Sequence, residues 1–565
     1  MITLLPAVKE LTVTPGTLTK KAITFDISSC TKRLAKALGK LPMASDGTPL
    51  TITYENTDGE GYSLVITSDL IAISAESEQA AFYAIQTLRQ IFEQENVPCL
   101  TIQDKPDFKY RGFYHDMTRG KVATVDTLKK LIDTMAYYKM NALQLYVEHV
   151  YEFEECRDIN PLTSYLTGAE LDELREYCNE NFIVFEPSLA TFGHMFDILD
   201  QEKYHHLRVL KDYQNDVCRW RDRMGHHTID PRLDESFALV KSLIDQYAPH
   251  FDSQYFNICC DETFDLKNSY PKEEEGKLYI DFVKKIISHL NGKDKSVMMW
   301  ADILLQHPEY ITELPEDTIF LNWSYGSNPS EKNVAAFKDL NRTQIVCPGT
   351  TTWSRFCEQV DREDANIIKM ADYGYKYGAL GVLNTNWGDY GNPASIELAL
   401  YGLVLGAAKS WAIDTYPTDE FRADINTLLY KNANGMQYLS AISNAQNKVN
   451  WNDTVYSGYK HRNGIEYKKP MDEERLATVQ EIYRTVMPKI VSEEWTTGDF
   501  KDEMLLALEG VCVLAELAAK LSHIETERLT NTKDFLARYR AKWLEKNKES
   551  ELSRIEDVFM YIDSI

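Results

Sequence analysis

Residues 110–147 read YRGFYHDMTRGKVATVDTLKKLIDTMAYYKMNALQLYV. Two apolar runs, 110–116 and 142–147, flank a segment in which Leu128, Leu131, Ile132 and Met135 recur at helical spacing. The spacing predicts a strand, a helix over 125–139, and a second strand.

The alternation then repeats along the chain. Further strands are expected at 182–187, 255–260, 296–300, 318–323, 343–347 and 380–386. Helices are expected at 168–180, 233–247, 276–290, 331–340, 362–377 and 394–410, and only the connection after the fifth strand is poor in helix. Eight apolar strands alternating with helices over roughly 300 residues point to an α/β fold, a closed (β/α)8 TIM barrel. An open doubly wound sheet is the runner-up, but no Gly-x-Gly-x-x-Gly or Walker loop follows any strand.

Each side of the barrel carries a different pattern. Residues 1–105 read as an α+β unit, with strands at Ser63–Thr67 and Ile71–Ala75 and a helix whose apolar face is Ala81, Ile85, Leu88 and Phe92 behind a Ser77 cap. The barrel is assigned to 106–411. Over 412–565 the strand signal disappears and helices are expected at 470–490, 500–522 and 525–547.

A chain of 565 residues suggests about three domains, at roughly 100–200 residues each. The net charge of −25 argues against a nucleic-acid partner, because phosphate binding needs a basic surface. No run is apolar enough for a membrane span, and MITLLPAVKELTVTPGT lacks the order of a signal peptide. The ten cysteines have no zinc-ligand spacing, so reduced thiols in a cytoplasmic protein are expected. A chain trimmed of a signal would read the same.

In a barrel of this kind the active site lies at the C-terminal ends of the strands. Those ends carry Arg111 with Asp116, Glu148 with His149, Glu186 with His194, Asp261 with Glu262, then Trp300, Trp323, Trp353, and Trp387 with Asp389. Four of the nine tryptophans fall here, and a pocket of aromatic walls and carboxylates suits a sugar. The adjacent acids in Asn257-Ile258-Cys259-Cys260-Asp261-Glu262 repel each other, an arrangement that serves chemistry better than packing. Glu186, inside its strand, reads as an internal barrel group. His226-His227 lacks a third ligand at metal spacing, so a surface or loop role is expected.

The segment RGFYHDMTRGKVATVDTLKKLIDTMAYYKMNALQLYV, with TFGHM, ICCDET and NWGDYG, resembles the β-N-acetylhexosaminidases of glycoside hydrolase family 20. The resemblance implies a retaining exo-glycosidase acting on terminal β-linked GlcNAc or GalNAc of an oligosaccharide or glycoconjugate glycan, with no cofactor or metal. Oligomeric state stays open. The substrate's own 2-acetamido oxygen would attack the anomeric carbon and form an oxazolinium ion. By the same resemblance Glu262 would be the general acid and base, its pKa raised by burial and by Asp261, while Asp261 would hold the acetamide N–H. Arg111 and Asp389 would bind ring hydroxyls, Glu148 and His194 would form a supporting pair, and Trp300, Trp323 and Trp387 would shape the acetamide pocket. Trp353, Tyr325 and Tyr390 are the candidate donors to the acetamide oxygen. The chain departs from the family pattern at Asn257, Cys259 and Cys260, where His-x-Gly-Gly is usual, and at Asp389, where Glu is common. Two other readings stand beside it. One is a glycosidase with a covalent nucleophile, Glu186 or Asp116; the other is a silent sugar-binding barrel.

Overall fold

The computed structural model describes residues 2–55, 57–159, 164–225, 227–496 and 498–565. Eight parallel strands close into a barrel: Tyr110–Asp116, Ala142–Val147, Val184–Leu189, Tyr255–Asn257, Ser296–Trp300, Ile319–Trp323, Gln344–Cys347 and Gly381–Asn386. The last strand pairs with the first from Gly381 opposite Tyr110 to Asn386 opposite His115, which closes the cylinder. All residues of the first two strands are buried, since one face fills the barrel and the other meets helices. The expected barrel is therefore present.

Two strands begin or end elsewhere than the apolar runs suggest. The third starts at Val184 because Phe182, at φ 56°, still belongs to the turn that ends the preceding helix. The fourth stops at Asn257, since Cys259 and Cys260 take left-handed φ values of 56° and 63° that no strand accommodates.

The N-terminal unit is a six-stranded sheet in the order Glu10–Thr17, Pro98–Asp104, Tyr62–Ile66, Ile71–Ala75, Thr48–Tyr54 and Ile23–Thr24. The helix Glu78–Glu93, capped by Ser77 as expected, buries most of its surface between this sheet and the barrel. Its Tyr83 hydroxyl accepts from Arg111 at 2.9 Å and its Gln90 donates to the Tyr137 carbonyl at 3.3 Å.

Seven α-helices with at least seven residues each follow the barrel among the described residues: Asp419–Ile425, Gly435–Gln446, Trp451–Arg462, Glu473–Ser492, Gly498–Leu521, Thr532–Lys546 and Leu552–Ser564. Gly498–Leu521 is buried along most of its length and forms the centre of the bundle. The bundle packs on the barrel. Tyr539 donates to the Pro393 carbonyl at 2.9 Å, and Thr127 donates to the Lys546 carbonyl at 2.7 Å. Among the described residues no helix is long and apolar enough to cross a membrane.

Candidate active site

The strand Tyr255–Asn257 delivers a turn held by its own last side chain. The Asn257 carboxamide oxygen accepts from the Cys259 N–H at 2.9 Å, and its amide donates to Gln144 at 2.8 Å. Cys259, Cys260 and Glu262 all sit at positive φ, a conformation that costs a residue with a Cβ about 1–2 kcal/mol. The strain aims Asp261 and Glu262 into one cavity. Gly193 packs against the back of this turn, where a Cβ would lie 2.4 Å from the Asp261 carbonyl oxygen, so only glycine fits.

His194, the next residue, lies between the acids and an arginine. Its Nε2 is 3.2 Å from Asp261 Oδ2 and 3.4 Å from Glu262 Oε2, and its Nδ1 is 3.1 Å from Arg119 Nη2. Arginine can only donate, so Nδ1 must accept and Nε2 carries the proton toward the carboxylates. A second proton would have to sit on Nδ1 facing the guanidinium, donor against donor. Asp261 Oδ1 is buried with no hydrogen-bond partner among the described residues. Asp261 meets the cavity through the rest of its side chain, about a tenth of which is exposed. Behind it Asp302 accepts the Glu262 N–H at 3.1 Å, and burial followed by the charge of Asp261 pushes the Asp302 carboxyl up to about 7.

Arg119 follows the first strand, in a turn where Asp116 accepts the Thr118 and Arg119 N–H groups at 2.9 and 3.1 Å. Its guanidinium lies 3.5 Å from Glu148, 3.6 Å from Asp116 and 3.5 Å from Asp389. The loops bearing Arg119 and Asp389 meet at Gly120, φ 114°, where a Cβ would lie 2.3 Å from the Gly391 carbonyl. Burial lifts the Asp389 carboxyl to about 6 against the pull of Arg119.

Aromatic rings build the other walls. Trp323 stacks on Tyr325 at 5.0 Å, Tyr325 meets Trp353 at 5.2 Å, and Trp300 meets Trp387 at 5.8 Å. The Trp387 indole donates to the Tyr325 hydroxyl at 2.7 Å, which turns the tyrosine's own proton elsewhere. These groups enclose a cavity of about 460 Å³ lined by Arg119, His194, Met224, Asp261, Glu262, Trp300, Trp323, Ser324, Tyr325, Gly326, Trp353, Arg362, Trp387 and Asp389. A cavity of that size with convergent polar groups on an aromatic frame is what a small polar ligand requires.

The structure thus brings together eight of the residues singled out from the strand ends, with Tyr325 beside them, and sets others apart. Arg111 is a correction. It lies at the N-terminal end of its strand, the opposite end of the barrel, fully buried and paired with Glu60 at 2.7 Å. Tyr390 is another, absent from the lining because the chain turns there; its carbonyl accepts the Trp451 indole N–H at 2.8 Å. Glu148 lies beneath the cavity rather than in its wall, accepting from the Tyr146 hydroxyl at 2.8 Å and pairing with Arg119. Glu186 is inside the barrel, where Tyr110 and Gln144 donate to it at 2.6 and 2.8 Å and burial raises it to about 7. Asp116 takes three backbone N–H groups, the third from Gly388 at 3.0 Å. Neither Glu186 nor Asp116 faces the Glu262 carboxyl across the cavity. His226 lies outside the described residues. His227 is buried rather than at the surface, its ring 4.8 Å from Phe196 and 4.3 Å from Tyr213.

Arg119, Met224, Ser324, Gly326, Arg362 and Asp302 were not legible as site residues. They sit in turns and at helix ends past the strands; the one local signal was the Asp116-x-x-Arg119 spacing, which suits a side chain capping its own turn.

Ligand atoms of His194, Asp261 and Glu262 lie within 4.8 Å of one another, as do those of Glu148, His149 and Asp197. Arginines already supply the positive charge at both places: Arg119 beside His194 and Glu148, and Arg219 on Asp197 at 2.5 Å. A cation there would add charge to carboxylates that already have counterions.

Comparison with known proteins gives the geometry a family. The chain is 26% identical over 341 residues to a beta-hexosaminidase of Porphyromonas gingivalis, a stretch covering 52% of this chain and 40% of that protein. The chain thus spans less than half of that curated relative. Its fold is similar to the Flavobacterium johnsoniae chitobiase, with a TM-score of 0.61, 18% identity and coverage of 98% of this chain and 99% of the other. It is also similar to the exo beta-N-acetylglucosaminidase of Vibrio harveyi in complex with N-acetylglucosamine, at TM-score 0.60, 18% identity and coverage of 77% and 78%. Residues 2–105 match "Glycosyl hydrolase family 20, domain 2", and residues 108–154 and 148–390 match "Glycosyl hydrolase family 20, catalytic domain". With an eight-stranded barrel, a match running across half of the chain and an acid pair at the end of the fourth strand, this protein belongs to glycosyl hydrolase family 20.

Proposed function

We propose that the protein is a retaining exo-β-N-acetylhexosaminidase that removes terminal β-linked GlcNAc or GalNAc through an oxazolinium intermediate. The observation that supports this reading is the pair of adjacent carboxylates, Asp261 and Glu262, lining one aromatic-walled cavity. An ionised carboxylate only accepts hydrogen bonds, and an acetamide N–H is a donor that Asp261 at the cavity wall can take.

In the proposed reaction Asp261 accepts the acetamide N–H and turns the acetamide oxygen toward the anomeric carbon. That oxygen forms a bond to the carbon as the glycosidic bond breaks, and Glu262 gives its proton to the departing oxygen. Asp261 stabilises the positive charge that develops on the oxazolinium ring. Water then attacks the same carbon and gives a proton back to Glu262, and the acetamide is restored. Tyr325, whose hydroxyl meets Trp387 and Thr385, and Trp353 are the candidate donors to the acetamide oxygen that line the cavity. Arg119 and Asp389 suit the ring hydroxyls, taking the role that the sequence had suggested for Arg111.

A covalent carboxylate nucleophile is disfavoured, because Glu186 and Asp116 are both committed to internal hydrogen bonds. The test is hydrolysis of an aryl β-GlcNAc glycoside by the wild type and by Glu262→Gln. Loss of a general acid lowers kcat/KM by roughly 10²–10⁴. Equal rates in the two proteins would remove Glu262 from the mechanism, and no turnover by the wild type would favour a silent binding protein.

A further inference from the structure

The C-terminal bundle meets the walls of the cavity at a short connection. Between the helices Thr532–Lys546 and Leu552–Ser564 the chain runs beside the turn that carries Arg119. The Lys548 N–H donates to the Val122 carbonyl at 2.8 Å, the Val122 N–H to the Ser550 hydroxyl at 3.1 Å, and the Glu551 N–H to the Gly120 carbonyl at 3.3 Å. These bonds fasten the Arg119 turn to the bundle.

The Glu551 side chain fastens two further segments. Its carboxylate accepts from both outer nitrogens of Arg223, at 3.2 and 3.1 Å, and from the Trp220 indole N–H at 2.7 Å. Arg223 immediately precedes Met224 of the cavity lining, and its Nη2 also donates to the Asp389 carbonyl at 3.4 Å. Trp220 closes against Gly391, where a Cβ would lie 2.7 Å from its ring. Arg223 and Glu551 are both buried. Burial works against the Arg223 charge, and Glu551 offsets it first, followed by Asp197 and Glu148.

A bidentate pair shut off from water fixes orientation as well as distance, and removing one partner leaves a buried charge unmatched. This pair ends on the Asp389 carbonyl, while the backbone of the same glutamate holds the Arg119 turn. The two side chains that suit the ring hydroxyls come from loops far apart in sequence, and a single residue of the bundle is bonded toward both.

We infer that Glu551 is a positioning residue for recognition of the sugar hydroxyls: through Arg223 and through its own N–H it sets Asp389 against Arg119 without touching the substrate. The inference rests on the hexosaminidase reading and extends the site into the C-terminal bundle.

The experiment measures kcat/KM for an aryl β-GlcNAc glycoside and for its 4-deoxy analogue. Wild type, Glu551→Gln and the double variant Arg223→Met/Glu551→Met are compared. The ratio between the two substrates does not depend on how much of the enzyme is folded, so a loss of stability alone leaves it unchanged. Glutamine fills the same space but brings an N–H donor against the donors of Arg223. The double variant removes both buried charges and leaves neither unmatched, so it tests the inference even where Glu551→Gln fails to fold. In the wild type the 4-hydroxyl should contribute about 10- to 100-fold, the range of a hydrogen bond to a charged group. In both variants kcat/KM on the parent glycoside should fall by about 10- to 100-fold, and the ratio should shrink to about threefold or less. A wild-type ratio kept by either folded variant, whatever its Tm, would overturn the inference and leave the hexosaminidase reading intact. So would a wild-type ratio near one. No turnover of either glycoside by the wild type would overturn both.

Discussion

Arg111 and Arg119 stand eight residues apart, both are buried, and they serve opposite ends of the same barrel. Arg111 has its donors taken: the Lys139 carbonyl at 3.0 Å, the Phe108 carbonyl at 2.7 Å, Glu60 at 2.7 and 3.2 Å, and the Tyr83 hydroxyl at 2.9 Å. Arg119 meets its three carboxylates only at 3.5–3.6 Å, and its Nε has no hydrogen-bond partner among the described residues. The saturated arginine fastens the N-terminal unit to the barrel, whereas the loosely satisfied one faces the cavity with capacity to spare. Residue type and burial do not separate the two; hydrogen-bond accounting and the end of the strand do.

The same substitution at both positions breaks the comparison most directly. Arg119→Lys keeps the charge but loses the fork, and should lower kcat/KM on an aryl β-GlcNAc glycoside by roughly 10² while moving the Tm little. Arg111→Lys should do the reverse. Losing several buried hydrogen bonds costs on the order of 2–4 kcal/mol and lowers the Tm by several degrees, and the folded fraction should keep kcat/KM within about threefold. Swapped outcomes, with activity lost at Arg111 and stability at Arg119, would return the strand-end arginine to the sugar.

A smaller effect sharpens the contrast between the two ends of the barrel. Burial raises the Glu186 carboxyl to about 7 from an ordinary value near 4.5, so the folded protein holds that proton more tightly than the unfolded chain. Its contribution to stability is complete below about 4.5 and is lost as pH rises through about 7. Glu186→Gln cannot ionise, so its Tm relative to wild type should rise between pH 4.5 and 7 and then stay level. A constant difference across that window would show that Glu186 does not titrate there.

The fold was legible because each barrel strand is a short apolar run and each helix keeps its 3.6-residue period. The strand Glu10–Thr17 was not, because all eight of its residues are exposed and polar and apolar side chains have no face to sort to. The end of the fourth strand was misread for a different reason. Cys259 and Cys260 are apolar like strand residues, and composition carries no trace of their left-handed backbone. At the site, tryptophans and carboxylates announce themselves at strand ends. Arg119 and Arg362 come from a turn and a helix start, where a charged residue looks like any solvated one, and only the fold turns them inward. Glu148 was read as half of a supporting pair with His194, and the structure sets Arg119 between them, 3.5 Å from the one and 3.1 Å from the other, a bridge that strand position cannot give.

The central claim is that the nucleophile belongs to the substrate, with Asp261 positioning it and Glu262 moving the protons. Its most direct test is kcat/KM for two aryl β-glycosides that differ only at C2, one with an acetamido group and one with a hydroxyl. If the acetamide oxygen attacks, the 2-hydroxy sugar loses its nucleophile and should be cleaved at least about 10³-fold more slowly. Comparable cleavage of the two would contradict the account and return the search to a carboxylate of the protein.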